Sequence, residues 1–356
     1  MILRAVAFSD IAGWDEDAHA AALAAFKAGA PQAAALPPKT RRLGVDGAAL
    51  QRVVRHALDI ATGQAGAVRQ FFETNFVPHR IAATGFVTGY YEPDVAASRS
   101  RTERFRVPLY RRPNDLVGVS ATERPAGWDP DMRFGRRTAS GVVPYLDRAA
   151  IEEGALAGRG LELAWLEDPV DAFFIHVQGS ARLRLSDGEL VRIAFDGKSG
   201  HAYTSIGRLA VERGILAREA ADRDGLEAWL RRHRKEARAL MRENRSFIFF
   251  RETGQGDSEG PLGAAGVPLI SGRSLAVDRT LHTFHTPIWV DVPALADPEQ
   301  SDRPFRRLMV AHDTGSAIVG PARADIFFGS GSAAGSVAGR VRHDATMIAL
   351  LPVGAA

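Results

Sequence analysis

Leu308-Met-Val-Ala-His-Asp313-Thr-Gly-Ser-Ala-Ile-Val-Gly320, continued by Pro321-Ala-Arg-Ala-Asp325-Ile-Phe-Phe-Gly-Ser-Gly331, is where the fold can be read. Two apolar runs, each carrying one aspartate, are separated by Thr-Gly-Ser and Gly-Pro punctuation. That is the pattern of short strands joined by tight turns. The pattern extends from Phe247 to the C-terminus, with breaks at intervals of roughly 8 to 12 residues, the cadence of a small barrel.

Upstream, Gly85-Phe-Val-Thr-Gly-Tyr-Tyr-Glu-Pro93 reads as a strand ended by proline. It puts Phe86, Thr88 and Tyr90 on one face and Val87 and Tyr91 on the other. Further strands are expected at Pro108-Leu-Tyr110, from Ala172 to Leu185, and from Leu190 to Phe195, with Asp187-Gly188 as a hairpin turn between the last two. Helical spacing appears from Asp15 to Ala28, ahead of an extended link, and between Ala48 and Phe76 with a break near Gly63 and Gly66. It returns between Thr204 and Glu243, where Ser205 can cap one helix and Leu226, Trp229, Leu230, His233, Ala237 and Leu240 mark a second. The arginines on that second helix read as a solvated face. The expected class is mainly β with peripheral helices.

Composition narrows the function. At 356 residues two domains are expected. Positive charge is nearly all arginine, since lysine occurs only at 27, 39, 198 and 235, and the net charge is +3. Arginine suits an anionic polymer, although codon preference explains it more simply, and +3 with no basic stripe excludes a nucleic-acid partner. With no cysteine there are no disulfides, thiolate metal sites, cysteine catalysis or lipid-modified N-terminal cysteine. Residues 1 to 30 do not read as a signal peptide, and no run reads as a membrane span.

Asp325 lies against Ile326, Phe327 and Phe328, surroundings that can desolvate a carboxyl and let it hold a proton near neutral pH, as a general acid must. Asp313, before Thr314-Gly315, can equally be a turn cap, and so in principle can Asp325. Arg323 works against the acid reading, because two positions along a strand it shares a face with Asp325 and can lower its pKa. Gly329-Ser-Gly-Ser-Ala-Ala-Gly335 lacks the spacing and lysine of a phosphate loop and reads as a tight turn. His282, His285, His312 and His343 have no ligand spacing, so no metal and no cofactor are expected. No Gly-x-Ser-x-Gly elbow supports a serine triad.

Three blocks in order resemble the membrane-bound lytic murein transglycosylase A family: Thr88-Gly-Tyr-Tyr-Glu-Pro93, Asp168-Pro-Val-Asp-Ala-Phe-Phe-Ile-His-Val-Gln-Gly-Ser180 and the aspartate-bearing C-terminal block. Phe8-Ser-Asp-Ile-Ala-Gly-Trp14, Gly200 to Arg208 and Glu243 to Phe250 extend the resemblance over nearly the whole chain. The C-terminal part is similar to the domain named for three aspartates, which would be Asp278, Asp313 and Asp325. The resemblance implies Asp325 as the catalytic acid and then base, with Asp313 and Asp278 in support. It also implies glycan contacts from Thr88, Gly89, Tyr90, Gln178, Gly179 and Ser180, while Tyr91 faces the other way.

The implied architecture is a double-psi β-barrel from residues 1–94 and 241–356, with a β-rich insertion at 95–240 and a groove between the two. The helices of 204–243 are assignable to either part. The implied reaction cleaves the β-1,4 bond between N-acetylmuramic acid and N-acetylglucosamine in peptidoglycan strands, closing a 1,6-anhydro ring through the C6 hydroxyl. Such an enzyme is periplasmic, with outer-membrane association. Two other readings stay open: a non-catalytic, expansin-like wall-binding protein, and an inverting hydrolase using Asp313 and Asp325.

Overall fold

A computed structural model describes the chain apart from residues 1, 62–64, 121, 130–131, 255–259 and 355–356. It divides into two units, Met1–Tyr91 with Ser258–Ala356, and Glu92–Asp257.

The first unit is built on an eight-stranded sheet that closes on itself. Its order runs Leu3–Ala5, Phe76–Ile81, Arg342–Pro352, Pro287–Ala296, Pro304–Asp313, Ser274–Val277, Arg323–Ser330, Gly85–Glu92, and the last pairs back onto Arg342–Pro352. The closed part is a six-stranded barrel. Alternation along its strands produces two apolar faces. Ile288, Val290, Met309, Ala311, Ile326 and Met347 fill one core with Val87 and Phe305. Trp289, Leu308, Val310, Ile348 and Leu350 face the other way, against Phe26, Val54 and Phe72 from the N-terminal helices and Phe76 at the start of its strand.

Those helices are His19–Ala28, Ala30–Ala35, Gly47–Leu58 and Ala65–Asn75. The link begins at Leu36, within the expected break at residues 35–39, and before it Pro31 sits in the first turn of a second short helix, where its missing N–H costs nothing. Asp46 caps the third helix through the Ala49 amide. Gly63, expected at the break before the fourth, lies outside the described residues.

The second unit has a six-stranded sheet in the order Ile248–Thr253, Leu190–Lys198, Ser180–Leu185, Asp94–Ser98, Glu162–Leu166, Val107–Tyr110. A parallel bridge from Arg111 to Phe250 brings its edges together. A three-stranded sheet and helices complete the unit. The Asp187-Gly188 turn forms as expected, with Gly188 at φ 91° and Leu185 donating to Glu189.

Four sequence expectations change here. The run from Ala172 to Leu185 is a helix, Pro169–Gln178, followed by the strand Ser180–Leu185. Asp168 caps it, Pro169 starts it and Gly179 ends it in a left-handed conformation at φ 81°. The single helix marked by Leu226 to Leu240 is two, Arg223–Arg232 and Arg234–Arg242, broken at His233. Of its arginines, Arg231 is no solvated charge but donates to Asp168, Asp171 and Glu227. The insertion also runs to Asp257, not 240: Leu226, Leu230 and Leu240 pack on Val170, Phe173 and Phe174, and the strand Ile248–Thr253 pairs with Leu190–Lys198.

Candidate active site

Three neighbouring barrel strands bring the two aspartates level. Ala276, on the strand Ser274–Val277, pairs with Asp325 on one side and Asp313 on the other. Two strand spacings separate their backbones by about 10 Å. Ala276 lies between them as a small floor, a position that nothing in the sequence singles out.

Asp313 reaches this level through a β-bulge. The register slips between Leu275, opposite Ala311, and Ala276, opposite Asp313, so His312 is left over. A bulge re-aims the residues beside it. The His312 ring is buried, with Nδ1 3.1 Å from Ser274 Oγ. In an unbroken register Asp313 would move one place along and face the opposite side.

The strand Gly85–Glu92 supplies the partners from the face that carries Phe86, Thr88 and Tyr90. Thr88 Oγ1 donates to Asp325 Oδ1 at 2.7 Å, and Tyr90 Oη donates to Asp313 Oδ2 at 3.0 Å. The other Asp313 oxygen accepts from the Ala264 amide at 2.9 Å. Arg323 Nη2 donates to Thr88 Oγ1 at 2.7 Å, and its guanidinium lies over the Phe86 ring, 5.6 Å from the centroid. Gly89 has no room for a side chain, since a Cβ would stand 2.7 Å from Ala338 Cα in the helix Ser332–Ala338. That helix follows the expected turn, with Gly329 and Gly331 at φ 104° and 87°.

Burial pushes the Asp325 carboxyl up to about 6; the Thr88 hydrogen bond and Arg323 charge oppose this, and the Asp313 charge adds to it. Asp325 nonetheless keeps a solvent-accessible edge, so a desolvated acid remains reachable. Asp313 is also raised by burial, against the Ala264 and Thr314 amides and the Tyr90 hydroxyl. Burial and both aspartate charges hold Tyr90 well above its usual value, as a neutral donor.

Asp278 differs in kind. Its Oδ1 accepts from the Thr280 amide and hydroxyl, and its Oδ2 accepts from the Gly320 amide at 2.9 Å. Burial pushes its pKa up, but these hydrogen bonds outweigh it and hold the group low. An ionised carboxylate with both oxygens taken is a clamp on the loop ending at Gly320, with no proton to give. Of the histidines, His282 Nε2 lies 2.8 Å from the Pro321 carbonyl, and the His285 and His312 rings are 5.6 Å apart. No group of three His, Cys, Asp or Glu among the described residues is arranged to hold a metal. Gln178, Gly179 and Ser180 lie in the second unit, at the end of one helix and the start of a strand. Tyr91 is buried.

The raised Asp325 pKa predicts a stability signature. The folded pKa, about 6, exceeds the unfolded value of about 3.9, so the folded state binds the extra proton between them. Stability from this group is full below the lower value and is lost as pH rises through the upper one. Asp325→Asn is therefore expected to be more stable than wild type at pH 7, by on the order of 1 to 3 kcal/mol, with the gap closing towards pH 4. Melting curves of both proteins across that range check this, and a pH-independent gap would contradict it.

Residues 86–251 match the family description "MltA specific insert domain", and residues 273–351 match "3D domain". The crystal structure of a membrane-bound lytic murein transglycosylase from Agrobacterium tumefaciens superposes with a TM-score of 0.92 at 43% identity, covering 99% of this chain and 98% of that one. The crystal structure of E. coli MltA with bound chitohexaose superposes at 0.64 and 30% identity, covering 85% and 81%. The membrane-bound lytic murein transglycosylase A of Vibrio cholerae is 38% identical over 55% of this chain. The chain matches 53% of that relative's length. No described helix is long and apolar enough to cross a membrane.

Proposed function

We propose, starting from the fact that this chain belongs to the membrane-bound lytic murein transglycosylase A family, that it cleaves peptidoglycan glycan strands without water, with Asp325 as the sole acid and base. The observation that carries this reading is the asymmetry of the two carboxyls. Asp325 is raised to about 6 and has Oδ2 without a protein hydrogen bond among the described residues. Asp313 has both oxygens committed to protein donors.

One carboxyl suffices when the substrate supplies its own nucleophile. Asp325 gives its proton to the glycosidic oxygen as the bond from C1 of N-acetylmuramic acid breaks. The carboxylate then takes the proton of the C6 hydroxyl while O6 bonds to C1. Asp325 is protonated again, and the product ends in a 1,6-anhydro ring. Asp313, fixed by Tyr90 and the Ala264 amide, adds negative potential that favours both the protonated acid and the cationic sugar of the transition state. Asp278 holds the loop beside them.

Thr88 and Tyr90 lie close enough to the reacting carboxyls to meet the sugar, and Gly89 lets the chain pass against Ala338. Gln178, Gly179 and Ser180 offer the second unit's own polar contacts to a glycan. The E. coli relative bound to chitohexaose supports a linear glycan ligand. Six strands that close on one another, with Ser274–Val277 running parallel to Pro304–Asp313, support the double-psi topology for the barrel. Peptidoglycan as substrate puts the enzyme in the periplasm.

Mass spectrometry of muropeptides released from purified sacculi tests the reaction. Anhydro ends are expected, with kcat/KM falling about tenfold per pH unit above about pH 6, as Asp325 loses its proton. Reducing ends would move the assignment to the two-carboxylate hydrolase. Binding to sacculi with no product would move it to the wall-binding protein.

A further inference from the structure

The chain Arg323–Thr88–Asp325 determines more than a pKa. Arg323 does not meet Asp325 in a direct ion pair but reaches it through the Thr88 hydroxyl, by two hydrogen bonds of 2.7 Å each. The guanidinium is held in place by the Phe86 ring beneath it and by a hydrogen bond from Nη1 to the Ala324 carbonyl. Guanidinium only donates, so it occupies a lone pair of Thr88 Oγ1. A hydroxyl has one proton, and the remaining partner of Thr88 among the described residues is Asp325 Oδ1. The Thr88 proton therefore points at Oδ1.

We propose that Arg323 is a positioning residue for catalysis: by fixing the direction of the Thr88 hydroxyl it makes Oδ1 of Asp325 an obligate acceptor, so that the acid proton sits on Oδ2. Oδ2 is the oxygen with no protein partner, free to meet a glycosidic oxygen. Without the guanidinium, the hydroxyl is free to turn and accept from a protonated Oδ1. The acid proton would then be held in an internal hydrogen bond, pointing away from the substrate. The adverse charge that Arg323 places near the acid is thus tied to a gain in direction. This inference rests on the reading of Asp325 as the acid.

Two cycles over wild type, Arg323→Met, Thr88→Val and the double variant test it. In turnover, each single change is expected to lower kcat by about 10- to 100-fold, the range for a hydrogen bond to a charged group. The double variant should be no slower than the worse single, because both changes remove one device. Thr88→Ser, which keeps the hydroxyl, should retain most of the rate, and Arg323→Lys should recover part of the loss. Losses that multiply, or wild-type kcat in Arg323→Met, would overturn the proposal.

The second cycle needs no substrate: carbon-13 titration of the Asp325 carboxyl in the protein alone. Thr88→Val removes a donor to the anion and raises the apparent pKa. With Met at 323 the hydroxyl can serve the neutral acid as well as the anion, so the same Thr88→Val change should shift the pKa less. Equal shifts in both backgrounds would overturn the proposal. If wild type releases no anhydro product, the functional reading fails by itself, and the titration still decides whether the relay exists.

Discussion

Asp325→Asn is expected to lower the rate of anhydromuropeptide release by about a thousandfold or more. Asparagine keeps the size and can still accept from Thr88, but it has no proton to give the leaving oxygen and no basic oxygen for the C6 hydroxyl. Asp313→Asn should cost distinctly less, about tenfold, because an amide oxygen still accepts from the Ala264 amide or the Tyr90 hydroxyl and only the negative potential is lost. Quantifying anhydro products from sacculi for the two variants checks the ranking. Equal loss in both would give Asp313 a proton-transfer role and return the inverting hydrolase to the front.

The largest stability effect is expected far from the carboxyls. Arg273 and Asp17 form a bidentate pair at 2.8 Å on each arm, with side chains only 5% and 3% exposed. Arg273 also donates to the Leu308 carbonyl, and Asp17 accepts from the Leu308 amide. The pair thus fastens the N-terminal segment to the strand that leads into Asp313. Asp17→Ala would leave the guanidinium buried and uncompensated, at a cost of about 3 to 5 kcal/mol. A fall in melting temperature on the order of 10 °C follows. Asp17→Asn, which keeps an acceptor, should lie between. Calorimetry of the three proteins decides it, and a wild-type midpoint for Asp17→Ala would mean the pair contributes nothing.

What the sequence makes legible is local chemistry. Gly85 to Glu92, closed by Pro93, is a strand; Ser205 caps its helix through the Arg208 amide. Asp325 beside three apolar residues is desolvated, as its neighbours dictate. Where both neighbours of an element are apolar, periodicity fails. Phe173, Phe174 and Ile175 are all buried, so the helix before Gly179 carries no stripe, and only Asp168-Pro169 and Gly179 betray it. The bulge at His312 has no sequence mark, yet it turns Asp313 to the working face. Ala276 is informative only once its two partners are known. Arg323 was legible as a charge near the acid, but its route through Thr88 depends on a strand more than 200 residues away.

That separation has a kinetic consequence. Thr88 and Tyr90 lie on a strand whose partners, Arg323–Ser330 and Arg342–Pro352, follow it by more than 200 residues. On the ribosome, the barrel cannot close and the proton donor cannot meet its hydroxyl until residues 323–352 have been made. High contact order of this kind delays folding, while the unit at 92–257 has all its own pairings available earlier. The nascent chain therefore carries an unpaired, aromatic-rich strand while more than 200 further residues are added. Chaperone capture of chains stalled before residue 323 is the expected trace of that interval.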